Sequence, residues 1–269
     1  MSLLQNNLFL RIASALVLLP LVLLLLWKGG PFSTALFSLA AFLCMLEYLH
    51  MAWGRPGLLG LLCALAVALA PWLGAFPQPL LGALCLSGGL YAAAWAWHLL
   101  WGPRAEAPVR IGHLMAAAVY VGLGTAALCA LREKAFAWAV LALVLTWAND
   151  TFAYFAGRLW GKHKMLPSVS PKKTWEGFAG GLLGSLAGAF AMQQWALPGL
   201  QVWECLLLGV LAGLLGPLGD LSESALKRAF GKKDSGKLLP GHGGILDRVD
   251  ALLLIAPAVW LHAVVWAAA

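Results

Sequence analysis

GDLSESALKRAFGKKDSGKLLPGHGGILDRVD, residues 219–250, is a polar island in an otherwise apolar chain. It holds five of the eleven acids (Asp220, Glu223, Asp234, Asp247 and Asp250) and six of the eighteen Lys and Arg, too much charge for an ordinary connection. If the apolar run before it continues as helix, Asp220, Ser224 and Lys227 stand at i, i+4 and i+7 on one face, with Arg228 beside them. The middle, 231–244, is rich in Gly and Lys and contains Pro240, which reads as a loop whose backbone can approach a bound group closely. Asp247 and Asp250, at i and i+3, fall on one side of the first turn of the next apolar helix. Carboxylates from two helices with lysines between them are the components of a magnesium-phosphate site: hard oxygens for the cation, cationic groups for the remaining phosphate charge.

Outside this island the chain is greasy. Of its 269 residues, 62% are hydrophobic and 11% charged, and mean hydropathy is +0.84. A soluble domain needs roughly a quarter charged residues to cover its surface, so the class is an all-α integral membrane protein. A helical span takes about 20 mostly apolar residues. Nine candidates stand near 10–27, 32–53, 57–73, 79–101, 110–131, 135–157, 175–195, 202–219 and 245–267, a polytopic bundle of about nine transmembrane helices. The first lacks a small-residue cleavage site and runs into another span, so it reads as a retained helix. The five cysteines lie in apolar runs without metal-ligand spacing and read as buried thiols.

The formal net charge of +7 does not point to nucleic acid, because of how it is distributed. With loops assigned alternately to two sides, fifteen of the eighteen basic residues share one side, against Lys28, Arg132 and Lys134 on the other. The positive-inside rule makes the richer side cytoplasmic. The polar island then faces the nucleotide pool, with the N-terminus on the same side.

Residues 1–131 read as N-terminal helices for packing and lipid access. Glu47 either lines a polar cavity or is an interfacial acid at a helix end, and the latter is the simpler expectation. His98 and His113 read as interfacial too, and Trp27, Trp53, Trp72, Trp101 and Trp203 as an aromatic belt. Residues 132–269 form the catalytic region. Asn149-Asp150 sits inside an apolar helix, where an ionisable group marks function by default; a structural Asp bonded to Tyr154 is the plainer alternative. In Ser170-Pro171-Lys172-Lys173-Thr174-Trp175-Glu176-Gly177, Ser170 and Pro171 read as N-cap and first residue of the seventh span, with both lysines on its first turn as a phosphate cradle. Gly177, Gly180, Gly181, Gly184 and Gly188 are spaced for close helix packing; they permit a homodimer without requiring one.

Ser224 to Asp250, through Lys227-Arg228, Lys233-Asp234 and His242-Gly243-Gly244-Ile245-Leu246-Asp247-Arg248-Val249-Asp250, resembles the signature of the phosphatidate cytidylyltransferases, and residues 170–177 are similar to a second segment of that family. The resemblance implies a membrane enzyme that joins CTP to phosphatidic acid and releases pyrophosphate, with Mg²⁺ as cofactor and a second cation compatible. On that reading the catalytic residues are Asp220, Asp247, Asp250, Lys227 and Arg228. Asp220, Asp247, Asp250 and Asp150 are the metal ligands. Lys172, Lys173, Ser224, Lys233, Asp234, His242, Gly243, Gly244, Arg248 and Asn149 bind substrate. His242 either donates to the leaving pyrophosphate or shapes the loop, and Arg248 is either a phosphate partner or a counter-ion to Asp247. The rivals are a transporter or cation channel, since intramembrane acids mark ion pathways, and a CTP-dependent transferase acting on a polyprenol-type lipid.

Overall fold

The computed structural model describes the backbone of residues 3–73, 79–238 and 243–266, and the side chains of 16–73, 85–238 and 243–264. Helix dominates: α1 (Leu3–Lys28), α2 (Pro31–Trp53), α3 (Gly57–Val67), α4 (Ala70–Leu73), α5 (Pro79–Leu100), α6 (Ala107–Ala117), α7 (Leu123–Lys134), α8 (Phe136–Leu159), α9 (Trp175–Trp195), α10 (Val202–Ala229) and α11 (Leu246–Leu261). A π-helical turn, Ala118–Gly122, joins α6 to α7, and another, His262–Trp266, extends α11. Helix thus occupies each of the nine predicted places. Among the described residues four helical stretches are long and apolar enough to cross a membrane: Pro31–Trp53, Arg104–Lys134, Phe136–Leu159 and Val202–Ala229. The fold is helical and of membrane type.

Two compact units emerge, Met1–Ala130 with Asp234–Arg248, and Leu131–Lys233 with Val249–Ala269. In the first, α1 and α2 meet at Gly29 and Gly30, whose φ of 67° and 53° disfavours any residue with a Cβ. Buried Phe37, Ala41, Cys44, Met45, Tyr48 and Leu49 form the core stripe of α2, at the spacing of an apolar helical face. Trp72 Nε1 donates to Ser38 Oγ at 3.0 Å, and the Arg110 guanidinium lies 5.6 Å from the Trp53 ring. His98, in the last turn of α5, is buried. One expectation needs correction here: Cys85 is exposed while the other four cysteines are buried.

The second unit is built on close helix approach. A Cβ on Gly184 of α9 would lie 2.5 Å from the Ala148 carbonyl of α8, and one on Gly180 would lie 2.3 Å from the Ala156 Cβ. Gly213 of α10 meets Leu182 of α9 in the same way, and Gly219 meets the Asp250 carbonyl and Ala251 of α11. Small residues let these backbones come within a distance that dispersion rewards where lipid supplies no hydrophobic drive. The glycines of α9 are therefore engaged within the chain, which removes them as grounds for a homodimer.

The segment before α9 departs from expectation. Ser170–Thr174 forms a strand, β2, antiparallel to β1 (Lys164–Leu166). The N-cap of α9 is Thr174, whose Oγ1 accepts from Gly177 N at 3.1 Å; Ser170 and Pro171 are not its cap and first residue. Pro171 fits an extended, two-stranded ribbon, where a missing N–H is tolerated, and Thr174 supplies the same capping chemistry four residues later. Glu176 accepts from His163 N and sits 2.6 Å from His163 Nδ1, which ties the hairpin to the start of α9.

Candidate active site

The strand has a direct consequence for the two lysines. On a helix Lys172 and Lys173 would flank one end together; on β2 they alternate sides. Lys172 is exposed, while Lys173 Nζ lies 2.7 Å from Asp220 Oδ2 on α10 and donates to the Pro217 carbonyl at 3.3 Å. The side chains of this pair are 22% and 41% exposed, so both keep faces open to a bound group.

Helix α10 continues through Ala229, as the spacing of Asp220, Ser224 and Lys227 predicts. Ser224 Oγ donates to Asp220 Oδ1 at 3.3 Å, one turn along the same face. Lys227 pairs with Glu223, a carboxylate with no exposed surface. That acid carries no role in the sequence reading, although Glu followed four residues later by Lys is a helix-pair signal that could have found it. A Lys held against a buried carboxylate has part of its charge already answered. Arg228 Nη1 donates to the Lys232 carbonyl beyond the end of α10.

Asp250, one turn into α11, accepts from Ala251 N at 2.8 Å and lies within electrostatic reach of Asp220, Asp150 and Lys227. Three of the four acids assigned to metal are thus neighbours in one unit. Asp150 is exposed on α8. Tyr154, its suggested partner, is engaged instead by Arg158 Nη1 at 2.6 Å. Asn149 is buried and donates from Nδ2 to Ser185 Oγ at 3.0 Å, beside Gly181 and Gly216; the structure places it in helix packing.

The fourth acid is held differently. Asp247 accepts from Gly244 N at 2.9 Å and from Ser235 N at 3.0 Å, so it fastens the loop that precedes its own helix. Gly243 has φ 86° and a Cβ there would lie 2.7 Å from Asp247 Oδ2, which gives this glycine a conformational and a steric reason. Gly244 is buried in the same turn. Lys233, Asp234 and Arg248 are exposed. His242 lies outside the described residues.

Glu47 overturns its expectation outright. It is no idle interfacial acid: Oε1 accepts from Ile245 N at 3.0 Å, and Oε2 accepts from Leu246 N at 2.9 Å and Ser235 Oγ at 3.0 Å. Nothing in the spacing of the sequence links residue 47 to residues 235–246.

As a donor set for Mg²⁺, carboxylate oxygens are the right chemistry. Among the described residues no three His, Cys, Asp or Glu side chains converge into a ready-made cage.

The model of the cytidylyltransferase family matches residues 9–266. The chain belongs to that family. This cytidylyltransferase-family chain is 35% identical over 254 residues to a phosphatidate cytidylyltransferase of Staphylococcus epidermidis, covering 92% of this chain and 95% of that one. Over a shorter stretch of 138 residues, half of this chain, identity rises to 46% with the protein of the same name from Staphylococcus haemolyticus and 45% with that from Staphylococcus saprophyticus. Within the family chain, Asp150 is exposed and the Lys173–Asp220 pair is partly exposed, with Asp250 in electrostatic reach of both acids.

Proposed function

We propose that this chain transfers CMP from CTP to phosphatidic acid, giving CDP-diacylglycerol and pyrophosphate, at the cytoplasmic face of a bacterial inner membrane. The observation that carries the reading is the half-open Lys173–Asp220 pair with Asp250 and Asp150 near it, in a chain similar along nearly its whole length to proteins named for that activity. The orientation follows from the fifteen basic residues assigned to the side that holds the site.

The chemical problem is to bring two polyanions together, so positioning and charge neutralisation supply most of the catalysis. Asp220 and Asp250 would hold Mg²⁺, with its remaining positions left to phosphate and water; the bound cation would neutralise triphosphate charge. Lys173 is placed to exchange part of its interaction with Asp220 for a substrate phosphate, since the ammonium has three donors and a short ion pair uses one. Lys172, Lys233 and Arg248, exposed and cationic, receive phosphate oxygens. Lys227 and Arg228 set the positive potential at the end of α10, with Ser224 orienting Asp220. The phosphatidate phosphate is anionic near neutral pH and attacks the α-phosphorus in line, and pyrophosphate leaves. No strong general base is required.

The test is pyrophosphate release by purified protein in detergent with CTP, Mg²⁺ and phosphatidic acid, each omitted in turn. Release that needs all three, with a CDP-lipid as product, is the expected result. Binding of CTP without turnover of phosphatidic acid would move the acceptor to another lipid phosphate. Solute flux in liposomes without any CTP turnover would overturn the enzymatic reading.

A further inference from the structure

Among the described residues no helix or strand spans the segment between Ala229 and Leu246, yet that segment carries Lys233, Asp234, Gly243 and Gly244 of the signature. A loop of that composition has little regular backbone pairing to hold it, so side chains must fix its course. Two carboxylates do so. Asp247 holds it from within, through Ser235 N and Gly244 N. Glu47 holds it from a helix roughly 190 residues away, through Ser235 Oγ, Ile245 N and Leu246 N.

We propose that Glu47 is a positioning residue for this loop: its carboxylate caps α11 from another helix and clamps Ser235, and so sets where Asp234 and Asp247 stand.

Four observations converge on it. Ile245 N and Leu246 N lie at the start of α11 and have no intrahelical acceptor; an anion there also meets the positive end of the helix. Ser235 is buried and joins the two acids, giving its N–H to Asp247 and its O–H to Glu47. Gly236 and Gly244 border the carboxylate so closely that a Cβ on either would lie 2.4 Å from a Glu47 oxygen. Glu47 has three hydrogen bonds fixing it and cannot swing aside cheaply, so both positions are confined to glycine. Finally, Met45, Tyr48 and Leu49 on either side of Glu47 are in the buried stripe of α2, which makes the platform under the clamp rigid.

The functional consequence rests on the CTP reading above. A loop released from Glu47 leaves its acids and cations in many positions, so it binds nucleotide phosphates less well and orders them less well. Groups that orient a ligand set from behind typically cost about 10–100-fold in affinity or activity when removed.

The test uses the full-length protein in detergent with Glu47→Gln, which keeps length but replaces one acceptor oxygen by a donor, and Ser235→Ala, which removes one of the three bonds. Two independent readouts apply: the rate of tryptic cleavage after Lys232, Lys233 and Lys237, and steady-state kinetics against CTP. For Glu47→Gln the expectation is at least about fivefold faster cleavage and a kcat/KM lower by about 10–100-fold, with a raised KM for CTP contributing to the loss. Ser235→Ala should shift both readouts the same way by less. If cleavage and KM are unchanged in both variants, or if kcat alone falls in proportion to the folded fraction, Glu47 is a packing residue and the proposal is wrong. Should the parent protein fail to turn over CTP with phosphatidic acid, the functional reading fails, while the cleavage rates still decide whether Glu47 holds the loop.

Discussion

Asp220 and Asp247 belong to the same polar stretch, residues 219–250, and carry the same carboxylate, but the structure treats them oppositely. Asp220 faces a lysine across 2.7 Å with 41% of its side chain exposed. Asp247 accepts backbone N–H groups from Ser235 and Gly244. A side-chain ion pair at a partly open surface is worth little by itself and can be rearranged when a cation or phosphate arrives. A carboxylate that satisfies otherwise unpaired backbone donors is part of the local fold, because removing it strands those donors. Acids of one polar stretch can therefore divide the labour: some kept partly open, others committed to shaping their own loop. Glu47 belongs to the second kind and Glu223, buried and ion-paired with Lys227 of its own helix, is a third case.

The sharpest way to break this contrast is at Asp220. Asp220→Asn or Lys173→Met should lower CTP-dependent pyrophosphate release about a thousandfold, about 4 kcal/mol of transition-state stabilisation, with tryptic cleavage of the 232–237 lysines unchanged. Near-normal turnover in either variant would remove that residue from the site. Next in size is the buried pair: Lys227→Met removes the ion-pair partner of buried Glu223 and should destabilise the protein by about 3 kcal/mol, read as a lowered thermal midpoint in detergent. A variant that melts like the parent would mean that Glu223 is held by other groups. Asp247→Asn should fall between the two kinds of acid, losing about 10–100-fold in activity while also speeding loop cleavage; activity loss with unaltered cleavage would place Asp247 with Asp220. The smallest effect is at the start of α9. Thr174→Ala should cost about 1 kcal/mol of stability through the lost cap, and Ser170→Ala close to none; the reverse order would restore the helix start to Ser170.

Much of this was legible in the chain. The nine apolar stretches coincide with helix, four of them among the described residues long and apolar enough to cross a membrane, because a bilayer core admits only segments whose backbone polar groups are satisfied internally, and that demand shows in composition. The face shared by Asp220, Ser224 and Lys227 was legible because helix periodicity is local. The start of α9 was misplaced for an equally local reason: Ser-Pro reads as a helix beginning, whereas pairing of β2 with β1 keeps that segment extended as far as Thr174. That pairing split Lys172 from Lys173 and left one of them on Asp220.

The sequence by itself determined the class of protein, the places of its helices, the family and the identity of the ionic residues, since each rests on composition, on a period of a few residues or on a contiguous motif. Tertiary structure alone decided which acids remain available and which are consumed. Whether a carboxylate meets a lysine, a backbone N–H or a ligand depends on groups brought beside it from far along the chain, as Ser235, Ile245 and Leu246 are brought to Glu47, and such meetings leave no periodic trace in the order of residues.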